Sequence, residues 1–404
     1  MPITGCMPIM HSCHHIFPSV DTLIFDASLL RNQHEIPSQF VWPDEENPGR
    51  SLEAPELSVP VIDLAAFRSQ DDSTITPMSQ LQGITSLVDE ACRKHGFFFV
   101  VNHGVDPGLI ARAEELMDDF FGMELSEKQR AQRKVGDPCG YASSFTGRFS
   151  SKLPWKETLS FRYSSGHGSA RSQIKMKKKT VKEYFLNVMG EDFVHFGDVY
   201  QEYCEAMSNL SLNIMEILGD NLGVGKDYLR EFFQENDSIM RLNYYPPCQQ
   251  PHLTLGTGPH CDPTSLTILH QSRVSGLQVL VDGKWHGIHP DPNAFVVNIG
   301  DTFMALSNGI YKSCMHRAVV NSRTARKSLA FFLCPRMDRK VTPPMELLVR
   351  SSDDDDDHCS RRRYPDFAWR DFLEFTQKHY RADTKTLDAF SDWLRQKNMD
   401  NHDE

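Results

Sequence analysis

The sequence predicts an α+β fold: a mainly helical N-terminal region leading into a β-rich core of sandwich or barrel type. Two observations carry this reading. Before about residue 235, apolar residues recur at helical spacing with only a few strand-like runs between them. From residue 238, short β runs alternate with turn signals. With 404 residues, 40% of them hydrophobic and 24% charged, the chain can build a sizeable core. The expected organisation is an irregular tail over 1–55, a mainly helical region over 56–235, a β core over 236–340, and an acidic loop with terminal helices over 341–404.

Taken in order, the tail is broken by Pro37, Pro43, Pro48 and Pro55 and reads as extended and partly ordered. Pro60–Leu64 is a short strand signal. Leu81, Ile84, Leu87, Val88, Ala91 and Cys92 mark one helix face, with Gly96 placed to cap its end. Phe97–Val101 reads as a buried strand, residues 107–121 as a second helix, and residues 196–218 as a long helix ending near Gly219. Strands are then expected at Ser265–Leu269, Leu277–Val281, Ala294–Ile299 and Ser328–Leu333, with Asp282-Gly283 as a hairpin turn. Phe367–His379 and Thr386–Lys397 read as terminal helices. No internal repeat and no heptads are found.

The net charge of -11 comes with no basic stripe, which argues against nucleic-acid binding. Lys175–Lys179, Asp353–Asp357 and Arg361–Arg363 read as solvated loop charge. Ten cysteines without CxxC spacing suggest reduced thiols, and Cys13-His14-His15 falls in the aperiodic tail. No secretory start or membrane-spanning run is evident, so a cytosolic monomer with no membrane association is expected, the nucleus remaining open.

Among seventeen histidines, His260 and His316 stand out beside Asp262. In His260-Cys261-Asp262 two side chains share one face of an extended segment. His316 follows fifty-four residues after Asp262, across several strands that could return it to the same mouth. Two imidazoles and one carboxylate on one side of a metal leave open positions, as non-haem iron(II) oxygenases require. Mixed His and carboxylate sets also serve zinc hydrolases, and that alternative stays open here.

Ten residues beyond His316, Arg326 and Ser328 share a strand face. A guanidinium fork and a hydroxyl together suit a carboxylate, such as the far end of a keto-diacid whose other end chelates the metal. A surface ion pair is the plainer reading of Arg326. Upstream, Asn243 and Tyr245 share a face in Asn243-Tyr244-Tyr245-Pro246-Pro247-Cys248 and could meet the same co-substrate, or simply pack a strand end.

These motifs in this order resemble the plant 2-oxoglutarate-dependent dioxygenases, as do Pro60–Leu64 and His95–Gly104. Within them, Ile36–Pro43, Leu153–Thr158, Leu255–His260, Ile299–Asn308 and Tyr380–Thr384 resemble the gibberellin 20-oxidases. The Lys-rich stretch near 175 and the Asp-rich insertion near 355 depart from that pattern. The resemblance implies a double-stranded β-helix, or jelly roll, flanked by helices. It implies iron(II) on His260, Asp262 and His316, and 2-oxoglutarate held by Arg326, Ser328, Asn243 and Tyr245. Dioxygen as oxidant and ascorbate as auxiliary reductant go with it. The implied substrate is a carboxylated diterpenoid, oxidised stepwise at carbon-20 until that carbon is lost. Such a substrate needs an apolar pocket and a cation, for which Trp155, Lys156 and Arg148 are the candidates; an ordinary loop with one buried aromatic is the alternative. Action on another gibberellin carbon or on a flavonoid, and a non-catalytic hormone-binding module, are the competing functions.

Overall fold

The computed structural model describes residues 25–43, 54–68, 78–134, 136–143, 152–165, 180–349, 362–379 and 385–400. Arg148, Cys13–His15, Lys175–Lys179, Asp353–Asp357 and the Tyr380–Thr384 motif lie outside them. The first half is helical as its periodicity requires. Met78–Lys94 forms a helix, and Gly96 takes φ +71° just past its end, where its N–H bonds Ala91 O. The helix Pro107–Gly122 begins with Pro107, and the side chain of Asp106 accepts the N–H groups of Gly108 and Leu109. The long helix runs Val194–Leu222, past the expected end at Gly219, and is capped by Gly223 at φ 69°. Gly219 serves a different need: a Cβ there would lie 2.6 Å from Gly225 O, so it permits a close chain approach.

Twelve strands build the core: β1 (Val61–Asp63), β2 (Phe97–Val101), β3 (Gly140–Ser143), β4 (Glu157–Ser164), β5 (Asp237–Tyr245), β6 (Thr257–His260), β7 (Leu266–Gln271), β8 (Leu277–Val281), β9 (Lys284–Ile288), β10 (Phe295–Ile299), β11 (His316–Ala318) and β12 (Arg326–Leu333). They form an eight-stranded sheet in the order β1-β2-β10-β7-β12-β5-β4-β3 and a four-stranded sheet in the order β6-β11-β8-β9. Apart from the parallel β1–β2 pair, neighbours are antiparallel. This is the jelly roll with flanking helices. Asp282 and Gly283 make the β8–β9 hairpin with φ of 50° and 73°. The large sheet draws β1–β4 from the region read as mainly helical, so the boundary placed at residue 235 runs through one continuous sheet.

Alternation along the strands sorts the two faces. Met240, Leu242, Ile268, Val297, Leu329 and Phe331 belong to the core shared with the helices, each such burial contributing roughly 1.5–3 kcal/mol. The intervening positions Arg241, Asn243, Tyr245, Arg326 and Ser328 turn the other way, into the barrel. Polar residues on an enclosed face are costly unless they are paired or serve a ligand, so this face locates the site.

The N-terminal segment differs from the extended tail expected. Ala27–Leu30 is a single helical turn, Ser38–Phe40 a 3₁₀ turn, and Phe25, Phe40 and Trp42 are buried. The terminal helices form at Trp369–His379 and Thr386–Asp400. Among the described residues, no helix is long and apolar enough to cross a membrane.

Candidate active site

Strands β6 and β11 pair with His316 directly opposite His260, so the two imidazoles are cross-strand neighbours with ring centroids 4.3 Å apart. Asp262, two residues beyond β6, turns its Oδ1 to 3.6 Å from the Nε2 of each histidine. One ligand atom from each of the three lies within 4.8 Å of the others. Among the described residues this is the single cluster of His, Cys, Asp or Glu able to hold a metal ion.

The surroundings fix each donor. His260 Nδ1 is 2.9 Å from Gly258 O and His316 Nδ1 is 3.2 Å from Cys314 O. A carbonyl only accepts, so both Nδ1 atoms carry the hydrogen and both Nε2 lone pairs face the cluster. Asp262 Oδ2 accepts from Thr267 Oγ (2.6 Å) and Asn298 Nδ2 (2.9 Å), which leaves Oδ1 for the cluster. Burial, then the neighbouring His316, pushes the His260 pKa down to about 3, so its ring is neutral at physiological pH. Burial would raise the Asp262 carboxyl; the two histidines and the Thr267 and Asn298 hydrogen bonds outweigh it and hold it below the usual range. The loop after Asp262 is clamped by the start of the helix Asp301–Leu306: Asp301 N–H donates to Asp262 O at 2.7 Å and Thr302 Oγ to Pro263 O at 2.6 Å. Two imidazoles and a carboxylate on one side match a divalent iron site with open positions.

The anion site lies on the same inner face. β12 pairs with β5 so that Arg326 faces Tyr245 and Ser328 faces Asn243. Asn243 Nδ2 donates to Ser328 Oγ at 3.2 Å, and the Arg326 guanidinium lies 5.0 Å from the Tyr245 ring. Arg326 is buried; its Nη2 donates to Gln271 Oε1 at 2.8 Å, its Nε has no protein partner, and no carboxylate pairs with it among the described residues. Burial holds its pKa below the usual arginine range. A buried guanidinium with an orphan N–H fits a ligand carboxylate, as 2-oxoglutarate would supply, and excludes the surface ion pair. Gly276 presses on the Arg326 stem, since a Cβ there would lie 2.7 Å from Cδ. Gln271 escaped the sequence reading; it faces Ser328 across β7 and β12, a register the sequence alone does not fix.

The proposed substrate residues separate. Trp155 has no exposed surface: Phe25 and Phe40 pack edge-on against its ring, and its Nε1–H donates to Pro246 O at 3.1 Å. This packing is that of a buried aromatic in a loop. Arg148 lies outside the described residues. Lys156 reaches β6, where its Nζ donates to Thr257 Oγ at 2.9 Å, and Thr257 contacts Tyr245 Oη at 3.2 Å. Burial, then Arg241, Arg133 and Arg326, push the Lys156 amine well below the usual lysine range.

Arg241 was missed. It lies in register with Ala330 and Ser160, on the face of Asn243 and Tyr245. Its Nε donates to Ser160 Oγ at 3.0 Å, its guanidinium lies 5.3 Å from the Phe332 ring, and no carboxylate pairs with it among the described residues. The alternation in Met240-Arg-Leu-Asn-Tyr-Tyr245 was the signal that could have found it.

Residues 236–335 match the 2OG-Fe(II) oxygenase superfamily, and residues 59–183 match the family described as non-haem dioxygenase in morphine synthesis N-terminal. The chain is 61% identical over 372 residues to Gibberellin 20 oxidase 2 of Arabidopsis thaliana, covering 92% of this chain and 91% of that one. It is 58% identical over 373 residues to Gibberellin 20 oxidase 1-A of Triticum aestivum, covering 92% and 95%. Among solved structures, JOX2 in complex with 2OG, Fe and JA superposes with a TM-score of 0.74 at 30% identity, covering 91% of this chain and 98% of JOX2.

Proposed function

Because the chain belongs to the gibberellin 20-oxidases, within the iron(II)- and 2-oxoglutarate-dependent oxygenases, we infer that it oxidises carbon-20 of gibberellin precursors in successive steps to give nineteen-carbon gibberellins. The observation that carries this reading is the convergence of His260, Asp262 and His316 beside the unneutralised Arg326. Iron(II), 2-oxoglutarate and dioxygen together supply the oxidising power for an unactivated carbon, with succinate and carbon dioxide as co-products. The chain's part is positional. His260, Asp262 and His316 would hold iron, each fixed by the backbone or by Thr267 and Asn298. Arg326 and Ser328 would grip the far carboxylate of 2-oxoglutarate, with Asn243 and Tyr245 completing its wall. Apolar residues of the facing sheets, among them Phe97 against His316 (5.8 Å), keep water from the target carbon.

A gibberellin precursor is apolar except for its carboxylates, so its orientation rests on where cations stand. Lys156 and Arg241 are the proposed anchors, two basic residues near the Asp262 cluster. Losing one charged hydrogen bond costs roughly 1.5–3 kcal/mol, or about 10- to 150-fold in affinity. Lys156→Ala and Arg241→Met are therefore expected to raise KM for the gibberellin by that order while leaving the 2-oxoglutarate KM near wild type. Equal weakening of both substrates would remove the assignment.

The acting form is proposed to be a cytosolic monomer; the described cysteines are unpaired thiols, as in a reducing compartment. The activity test is incubation with iron(II), 2-oxoglutarate, ascorbate and a twenty-carbon gibberellin, first without and then with oxygen, followed by mass spectrometry. Carbon-20 alcohol, aldehyde and nineteen-carbon products should arise with succinate once oxygen enters. Product without oxygen, or gibberellin conversion without succinate, would overturn the reading.

A further inference from the structure

The N-terminal segment reaches the metal-ligand strand β6 through the side chain of Trp42. On β11, His316 and Ala318 are two residues apart; their partners on β6, His260 and Thr257, are three apart. One extra residue therefore sits in β6 as a bulge, and bulges beside sites re-aim side chains. This one turns Thr257, the partner of Lys156, and His260 toward the same cavity.

Gly258 lies within the bulge, and its carbonyl accepts the His260 Nδ1–H at 2.9 Å. Trp42 covers it. A Cβ on Gly258 would lie 2.3 Å from Trp42 Cη2, 3.0 Å from Cζ3 and 3.1 Å from Cζ2. The indole has little room to yield: Trp42 is buried, its backbone N–H donates to Leu253 O at 2.9 Å, and its Nε1–H donates to Leu153 O at 3.3 Å. The segment is tied down independently, Leu153 N–H donating to Gln39 O at 2.9 Å and Phe40 packing on Trp155.

We propose that Trp42 is a positioning residue for iron binding: it presses on Gly258, holds the β6 bulge in register, and thereby aims His260 through the Gly258 carbonyl. The inference rests on His260 being an iron ligand. It gives the Ile36–Pro43 motif a role in the site, although it lies over two hundred residues before His260 in the chain.

The test is anaerobic Fe(II) titration of the full-length protein by calorimetry, with melting temperature measured in parallel. Removing an outer support of a metal ligand typically costs roughly 10- to 100-fold in affinity. Trp42→Ala should weaken Fe(II) binding by that order, and Gly258→Ala likewise, because its methyl collides with the indole. The double variant should bind Fe(II) more tightly than the two losses summed would allow, since removing the indole makes room for the Gly258→Ala methyl. Trp42→Phe, the milder change should Trp42→Ala not fold, should bind with intermediate affinity. Ile214→Ala, in the core of the long helix, should lower the melting temperature and leave Fe(II) affinity unchanged. Wild-type affinity in Trp42→Ala, or a double variant weakened by the sum of the two singles, or equal loss in Ile214→Ala, would overturn the proposal. If His260→Ala itself binds Fe(II) as tightly as wild type, the ligand assignment falls first, and the two failures are told apart.

Discussion

Asp262→Ala will abolish gibberellin oxidation while the protein remains folded. Asp262 supplies the only anionic donor of the cluster, and its Oδ1 stands 3.6 Å from both histidine Nε2 atoms. Losing it leaves two neutral imidazoles facing a dication. Iron affinity should fall by more than the roughly 10- to 100-fold that follows loss of a mere supporting residue. The fold bears less: Thr267 and Asn298 lose their acceptor, at roughly 1–3 kcal/mol for each group left unsatisfied, while a buried charge is relieved. Asp262→Asn keeps the shape and separates the two effects. Metal content and succinate release are the measurements; a variant that keeps its iron and still releases succinate would remove Asp262 from the metal site.

Arg326→Ala will leave iron binding near wild type and abolish tight binding of 2-oxoglutarate. Truncating one partner of a buried charged pair costs roughly 2–5 kcal/mol, which converts to about 30- to 5,000-fold in affinity. Arg326→Lys should restore little, because an ammonium cannot reproduce a fork that donates to Gln271 with one nitrogen and keeps Nε for a ligand. Gly276→Ala should imitate the effect in part by displacing the Arg326 stem. The 2-oxoglutarate dissociation constant, taken separately from that of iron, checks all three. An unchanged constant in Arg326→Ala would move the co-substrate to another site.

These results would also separate the competing functions. A hormone-binding module would keep gibberellin affinity in Asp262→Ala and show no succinate in any form. An oxygenase for a flavonoid or another gibberellin carbon would respond to both variants as described here, yet fail to release nineteen-carbon products.

What the sequence determined by itself was local chemistry and local periodicity. Helical spacing marked the face Leu81–Cys92 and residues 107–121, which lie within the helices Met78–Lys94 and Pro107–Gly122, the Asp282-Gly283 pair placed the β8–β9 hairpin, and residue types in chain order named His260, Asp262, His316, Arg326, Ser328, Asn243 and Tyr245. A strand's alternation is written in its residues, so that Arg326 and Ser328 share a face was legible before any fold. Which face turns inward was not, because that depends on what the other face packs against. The helices bury Met240 and Leu242, and Arg241 is thereby delivered to the cavity beside Asn243. Only register across separate strands could put Gln271 opposite Ser328. Only tertiary packing could decide between the two residues of Trp155-Lys156. Phe25 and Phe40 of the N-terminal segment pack edge-on against the buried Trp155, while the lysine next to it reaches Thr257 on β6. Neighbours in sequence share a backbone but not an environment, and here the indole packs among aromatic rings while the amine meets a threonine hydroxyl.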